Sequence, residues 1–320
     1  MSPRRGVRLI TLALAALTSG CPAPPRVAPF AGQMPPFAPG ARLAVVGDLQ
    51  RTSALELWRE QNDPERRAVV RAITQERPDL LAITGDLVFS GWSTSAWADL
   101  DTLTAPLRAA GIPAFAALGN HEYWGGRSAT AHFFARFPDL EGQRWFARAW
   151  GPLRFVVLDS NRGDLWEREW REQMRWLAAT LAAFDADPEV RGVLVIAHHP
   201  PYTNSTVTGD ELHMQRFVVP AFTAARKTLA LLSGHVHSYE RYERRGKVFV
   251  VSGGGGGPRA RLAVGDARRH TDDRFTGPPL RDFHFIVMTV TPDGIAAEVR
   301  GTPKGGTTFR PMDHFFLRFP

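Results

Sequence analysis

Five short strings in this chain carry side chains that bind metal ions or move protons. They are Val45-Val46-Gly47-Asp48, Ile83-Thr84-Gly85-Asp86, Leu118-Gly119-Asn120-His121-Glu122, Ala197-His198-His199-Pro200-Pro201 and Gly234-His235-Val236-His237. Carboxylates, an amide oxygen and neutral imidazoles form a hard-to-borderline donor set, suited to Mn, Fe, Zn or Mg rather than to a soft metal. Two neighbouring ions need one ligand able to bridge them, and a carboxylate is the natural bridge. Asp86, the middle acidic position, is the candidate bridge. Asp48 and His237 then complete one site, and Asn120, His198 and His235 the other. His235 and His237 stand two apart after a glycine, which reads as a turn aiming each ring at a different ion.

Each string directly follows an apolar run of the kind that forms a buried strand, such as Val193-Leu194-Val195-Ile196. Strands are expected at 43–46, 80–84 and 114–118. A pair at 145–150 and 153–158 is joined at Gly151-Pro152, and further strands lie near Val193, Leu229, Val248 and 283–290. Helices are expected at 64–76, with Pro64 in the first turn, at 94–109 and at 167–184. The last of these shows an apolar stripe of Trp170, Met174, Leu177 and Leu181, read as core packing. Alternating strands and helices predict a layered α/β domain whose chemistry sits in the loops after the strands.

The order of these strings resembles the calcineurin-like metallophosphoesterases, and Gly234-His235-Val236-His237-Ser238-Tyr239-Glu240-Arg241 resembles the purple acid phosphatase branch. Tyr202-Thr203-Asn204-Ser205 and the run Gly253 to Gly257 fit that branch as well. The resemblance covers residues 42 to about 257. It implies an α/β (α+β) fold, a four-layer α/β/β/α sandwich with a dinuclear metal site at its loop edge. It also implies two divalent or trivalent ions, hydrolysis of phosphate esters by a metal-bound hydroxide, and His121 beside the leaving group. The chain departs from the pattern at the first ion. Gln50 stands where many members have His, and Phe89 where purple acid phosphatases have a ligating Tyr. Gln50 offers a neutral oxygen and Phe89 offers none, so a first site that is looser or tuned to a harder ion such as Mn or Mg, without the tyrosinate colour, is expected.

Composition bounds the rest. Over 320 residues, 44 % apolar content supports a sizeable core rather than disorder. The net charge of +7 is carried almost wholly by arginine, with Lys only at 227, 247 and 304. No basic run interleaved with aromatics marks a nucleic-acid surface. Arg4, Arg5 and Arg8 precede an apolar stretch from Leu9 to Leu17 that is too short to span a membrane. Residues 1–20 therefore read as a lipoprotein-type signal peptide ending before the lone Cys21, residues 21–40 as a Pro-rich tether, and 41–320 as the catalytic domain. An exported protein, membrane-anchored through a lipid on Cys21 or periplasmic, is the expectation. Its expected substrate is a small phosphate ester. A phosphodiesterase or nuclease on the same centre is the nearest alternative, and a non-catalytic surface lipoprotein the other.

Other polar residues read as structural. His199 is expected to be a neighbour of the ligand His198, and Asp159 a turn-forming or supporting acid. His132, His270, His284 and His314 have no supporting context, His213 is a possible pocket wall, and the five-arginine stretch 258–279 reads as a solvated loop.

Overall fold

The computed structural model describes residues 27–53 and 55–320. Strands β1 (Arg42–Val46), β2 (Leu80–Ile83) and β3 (Ala114–Ala116) run parallel, linked by helices α1 (Asp63–Glu76), α2 (Thr94–Leu103) and α3 (Ala105–Ala109). Helix α4 (Thr130–Phe134) leads to the hairpin β4 (Phe146–Trp150) and β5 (Leu153–Val157), after which comes α5 (Glu167–Ala186). Strand β6 (Gly192–Ile196), helix α6 (Val219–Ala224) and β7 (Thr228–Ser233) follow. Strands β8 (Tyr239–Arg244), β9 (Lys247–Ser252), β10 (Phe283–Thr291), β11 (Gly294–Thr302) and β12 (Arg310–Arg318) complete the order.

Two six-stranded sheets result, β12-β11-β10-β1-β2-β3 and β4-β5-β6-β7-β9-β8. Strand alternation shows how they stack. Leu194 and Ile196 of β6 join Val45, Ile83 and Ile286 in the central core, whereas Val193, Val195 and Ala197 face Leu177 and Leu181 of α5 and Phe222 of α6. Val69, Val70 and Ile73 of α1 cover the outer side of the first sheet. The layers are helix, sheet, sheet, helix. Burial on both faces explains why the central strands read as continuous apolar runs.

The helix expected over 94–109 is two helices. It breaks at Thr104, whose hydroxyl donates to the Leu100 carbonyl, because Pro106 cannot continue the hydrogen-bond ladder. Part of the stretch read as a tether belongs to the fold. Phe30 is buried against Phe137, the Ala114 amide donates to the Ala31 carbonyl, and Trp150 donates its indole N–H to the Pro35 carbonyl. The signal peptide and Cys21 lie outside the described residues. The 258–279 stretch is tied down rather than freely solvated. Arg259 forms a fork to Glu60, the Arg274 amide donates to the Arg241 carbonyl, and Leu262 pairs with Pro279.

Candidate metal centre

The C-terminal ends of β1, β2, β3, β6 and β7 meet at one edge of the sandwich, and the backbone there is sharply bent. Asp48, Asp86 and His235 have φ of 61°, 54° and 67°, in the left-handed region that non-glycine residues rarely adopt. Crossed hydrogen bonds hold the bends. The Asp48 amide donates to the Gly85 carbonyl, and the Gln50 amide to the Asp86 carbonyl, both at 3.0 Å. The His235 amide donates to both Asp48 carboxylate oxygens at 3.0 and 3.1 Å. Glycines make room for the side chains. A Cβ on Gly119 would lie 2.1 Å from Asp86 Oδ1, and one on Gly234 would lie 2.5 Å from Asp48 Oδ2.

Second-nitrogen contacts fix the imidazole tautomers. A carbonyl oxygen only accepts, so His198 Nδ1 donates to Thr84 O (2.9 Å), His237 Nδ1 to Pro258 O (2.8 Å) and His121 Nδ1 to Phe89 O (2.6 Å). Each of these rings in its neutral form turns a bare Nε2 lone pair inward. His198 Nε2 then lies 3.1 Å from Asn120 Oδ1, 3.2 Å from Asp86 Oδ2 and 3.2 Å from His235 Nδ1, and His235 Nδ1 is 3.0 Å from Asn120 Oδ1. His237 Nε2 faces Asp48 Oδ1 at 3.4 Å. Asp86 Oδ1 accepts the His121 amide at 3.0 Å, which leaves Oδ2 between the two groups, 3.2 Å from His198 Nε2 and 3.3 Å from Gln50 Nε2.

Electron pairs so disposed repel one another unless a cation or a proton lies among them. Ligand atoms bound at right angles at about 2.1 Å from a common ion lie about 3 Å apart, which is the spacing of the His198, His235, Asn120 and Asp86 atoms. The donor set fits metal ions. Asp48, Asp86 and His237 form a second cluster of ligand atoms. Burial alone would raise the Asp86 carboxyl, but His198 and His121 hold it well below the usual carboxylate range. Burial opposes a charge on His198, yet Asp86 pushes its pKa up to about 9, while burial and His198 push His235 down to about 3. Gln50 is buried with its amide between His237 Nε2 (3.1 Å) and Asp86 Oδ2, and its Oε1 has no partner among the described residues. Rotating that amide by half a turn points the oxygen into the same space.

His199 is not remote from this group. One of its nitrogens clusters with those of His198 and His235, and its ring centroid lies 4.4 Å from that of His235, while Nδ1 pairs with Ser160 Oγ at 2.8 Å. His213 lines a neighbouring cavity that reaches Asn120 and His199. Asp159 is buried and accepts from Tyr123 Oη and the Asn161 amide. His270 pairs with Asp210, His284 is buried, and His314 is exposed beside Glu298. Phe89 supplies a carbonyl to His121 and packs its ring 5.1 Å from Trp124, which in turn lies 3.9 Å from the His121 ring.

One residue that sequence reasoning left without a role is Glu122, although it sits in the Asn120-His121 string. Its carboxylate accepts the amides of Asp86 (3.0 Å), Leu87 (2.9 Å) and Gly119 (2.7 Å), stapling the loops after β2 and β3. Burial and the Asp86 carboxylate push its pKa up to about 8, and these amides pull the other way.

Above the cluster opens a cavity of about 500 Å³ that reaches Asp86, Asn120, His121, His235 and His237. A donor set that fits metal ions, at the loop edge of a doubly layered sandwich and open to a cavity of this size, defines a candidate metal-binding site. Comparison with known proteins supplies the class. Residues 41–239 match the model of the calcineurin-like phosphoesterase family, and the chain belongs to that family. It is similar to purple acid phosphatase 22 of Arabidopsis thaliana, 25 % identical over 247 residues that cover 71 % of this chain and 53 % of that protein. It is also similar to a probable cyclic nucleotide phosphodiesterase of Synechococcus, 27 % identical over 54 % of this chain and 64 % of the other. The fold matches the purple acid phosphatase PPD1 from yellow lupin with a TM-score of 0.67, at 22 % identity, over 91 % of this chain and 55 % of that one. The chain thus spans about half the length of the plant proteins it matches.

Proposed function

We propose that the chain hydrolyses phosphate esters with two ions, one held by Asp48, Gln50, Asp86 and His237 and the other by Asp86, Asn120, His198 and His235. The observation that supports this most is the convergence of bare lone pairs at about 3 Å, with Asp86 Oδ2 within reach of both groups. Bound ions supply Lewis acidity toward a phosphoryl oxygen and a water of lowered pKa. The protein's own groups then orient the ester and handle protons. His121 keeps Nδ1–H on the Phe89 carbonyl and turns Nε2 toward the cavity, 3.8 Å from Asp86 Oδ2. Protonated at Nε2, it donates to the departing alkoxide. The Phe89 and Trp124 rings restrict its rotation.

The test is metal content of the purified chain alongside hydrolysis of an aryl phosphate monoester and the matching diester. Two ions per chain with turnover are expected. Fewer than two ions after reconstitution with Mn, Fe or Zn, and no turnover, would overturn the reading in favour of a non-catalytic protein. Similarity to a probable phosphodiesterase favours a second reading, in which the diester is the better substrate. The N-terminal pattern supports export with a lipid on Cys21. Membrane association that survives Cys21→Ser would refute that anchor.

A further inference from the structure

We propose that the ester taken by this site carries a single phosphate on a flat apolar alcohol of aryl type, and that a second phosphate is disfavoured. The inference rests on the reading of the site as a phosphate-ester hydrolase. The cavity has two kinds of wall. Its floor is the donor set, which suits one phosphate group. Its other wall is Trp58, Val207 and Leu280. Trp58 is 79 % and Val207 69 % exposed, so large apolar side chains stand uncovered beside a polar floor. An indole face offers offset stacking to a flat ring, and covering it removes apolar surface from water. About 500 Å³ accommodates one ring system with its phosphate.

Charge points the same way. Polyphosphates require cations beyond the metal floor, and the two guanidiniums that line the cavity are both paired. Arg59 lies 3.2 Å from Glu56. Arg259 makes a two-bond fork to Glu60, at 3.0 and 2.7 Å. The same fork holds the Glu60 carboxyl below its ordinary range, so the Arg259–Glu60 pair stays ionised yet neutral overall and offers a second phosphate no free cation.

Non-hydrolysable phosphonates test this without the bias of leaving-group reactivity. Dissociation constants of benzylphosphonate, ethylphosphonate and methylenediphosphonate are measured by calorimetry on the Mn-saturated full chain. Benzylphosphonate should bind at least ten-fold more tightly than ethylphosphonate, and the diphosphonate no more tightly than inorganic phosphate. Trp58→Ala and Val207→Ser, both at exposed positions, should each narrow the benzyl-to-ethyl ratio, the former to below three-fold. Equal affinities, a ratio unchanged in both variants, or preferred diphosphonate binding would overturn the proposal. If phosphate and aryl esters are bound and hydrolysed yet no benzyl preference exists, only this inference falls. If neither phosphate nor any phosphonate binds, the hydrolase reading falls with it.

Discussion

His284 should make the fold acid-labile, and the size of the effect follows from its surroundings. The ring is fully buried at the start of β10, packed 5.4 Å from Tyr239. Its Nδ1 donates to the Asp282 carbonyl at 2.9 Å, and its Nε2 has no partner among the described residues. Adding a proton would bury a charge with no acceptor for the new N–H. Burial, reinforced by Arg281, pushes the pKa down to about 4 from the ordinary imidazole value of 6.5. A group whose folded pKa is depressed takes up its proton first in the unfolded chain. The folded state is therefore fully favoured above about pH 6.5 and loses stability as pH falls toward 4. At 1.4 kcal/mol per unit, linkage gives a loss of about 2 kcal/mol between pH 8 and pH 5, and about 3 kcal/mol by pH 4. The His284 backbone is tied to the metal edge as well: its amide donates to the Gly254 carbonyl, and the next residue, Gly255, donates its amide to the Gly47 carbonyl beside Asp48. Urea unfolding of the metal-free wild type and His284→Phe at pH 8, 7, 6 and 5 measures the effect. The other histidines are common to both proteins, so the wild-type-minus-variant difference isolates this ring. A difference that stays flat within about 0.5 kcal/mol from pH 8 to pH 5 would refute the reasoning.

Four further outcomes are expected. His121→Ala should keep its metal content, measured by elemental analysis, while kcat falls about 10²- to 10⁴-fold on alkyl esters and less on aryl esters. Gly119→Ala should lose metal, because its Cβ would lie 2.1 Å from Asp86 Oδ1 and 2.4 Å from the Asp86 amide; a variant with full metal content contradicts the cradle. Glu122→Gln removes one of the two oxygens that accept the Asp86, Leu87 and Gly119 amides, and calorimetry should show weakened metal affinity with the fold retained. Arg66→Met removes a buried guanidinium that joins Asp63, Asp99 and the Leu49 carbonyl, and should cost about 3 kcal/mol in denaturant unfolding.

The strands that position the centre were legible because both their faces are buried, so that Val193 to Ile196 reads as one apolar run bounded by polar residues. The outer strands were not. In β11 only Ile295, Ala297 and Val299 face the core, and Ala296, Glu298 and Arg300 between them blur the pattern. Strand β12 is an edge with little buried surface, and β8 hides behind the charges of Glu240 and Arg241, which are satisfied by Thr203 and Asp313. Phe30 and Phe37 looked like tether residues because no periodicity flags a short extended segment that docks through two rings. Glu122 escaped notice because its partners are main-chain amides, which carry no sequence signal. Trp58 and Glu60 reach the cavity from the loop between β1 and α1, where no spacing of ligand-type residues marks them.

The left-handed backbone at Asp48, Asp86 and His235 sets the evolutionary terms on which this centre is kept. Each side chain occupies a conformation that glycine adopts freely and other residues at about 1 kcal/mol or more. Losing the centre would thus relieve the fold, and Asp86→Gly removes a buried carboxylate together with its strained φ. A lineage released from selection for catalysis should drift toward glycine or asparagine at these positions and gain stability as it does so. Relatives that keep two aspartates and a histidine there should then be the ones in which selection for chemistry still outweighs the preference of the backbone.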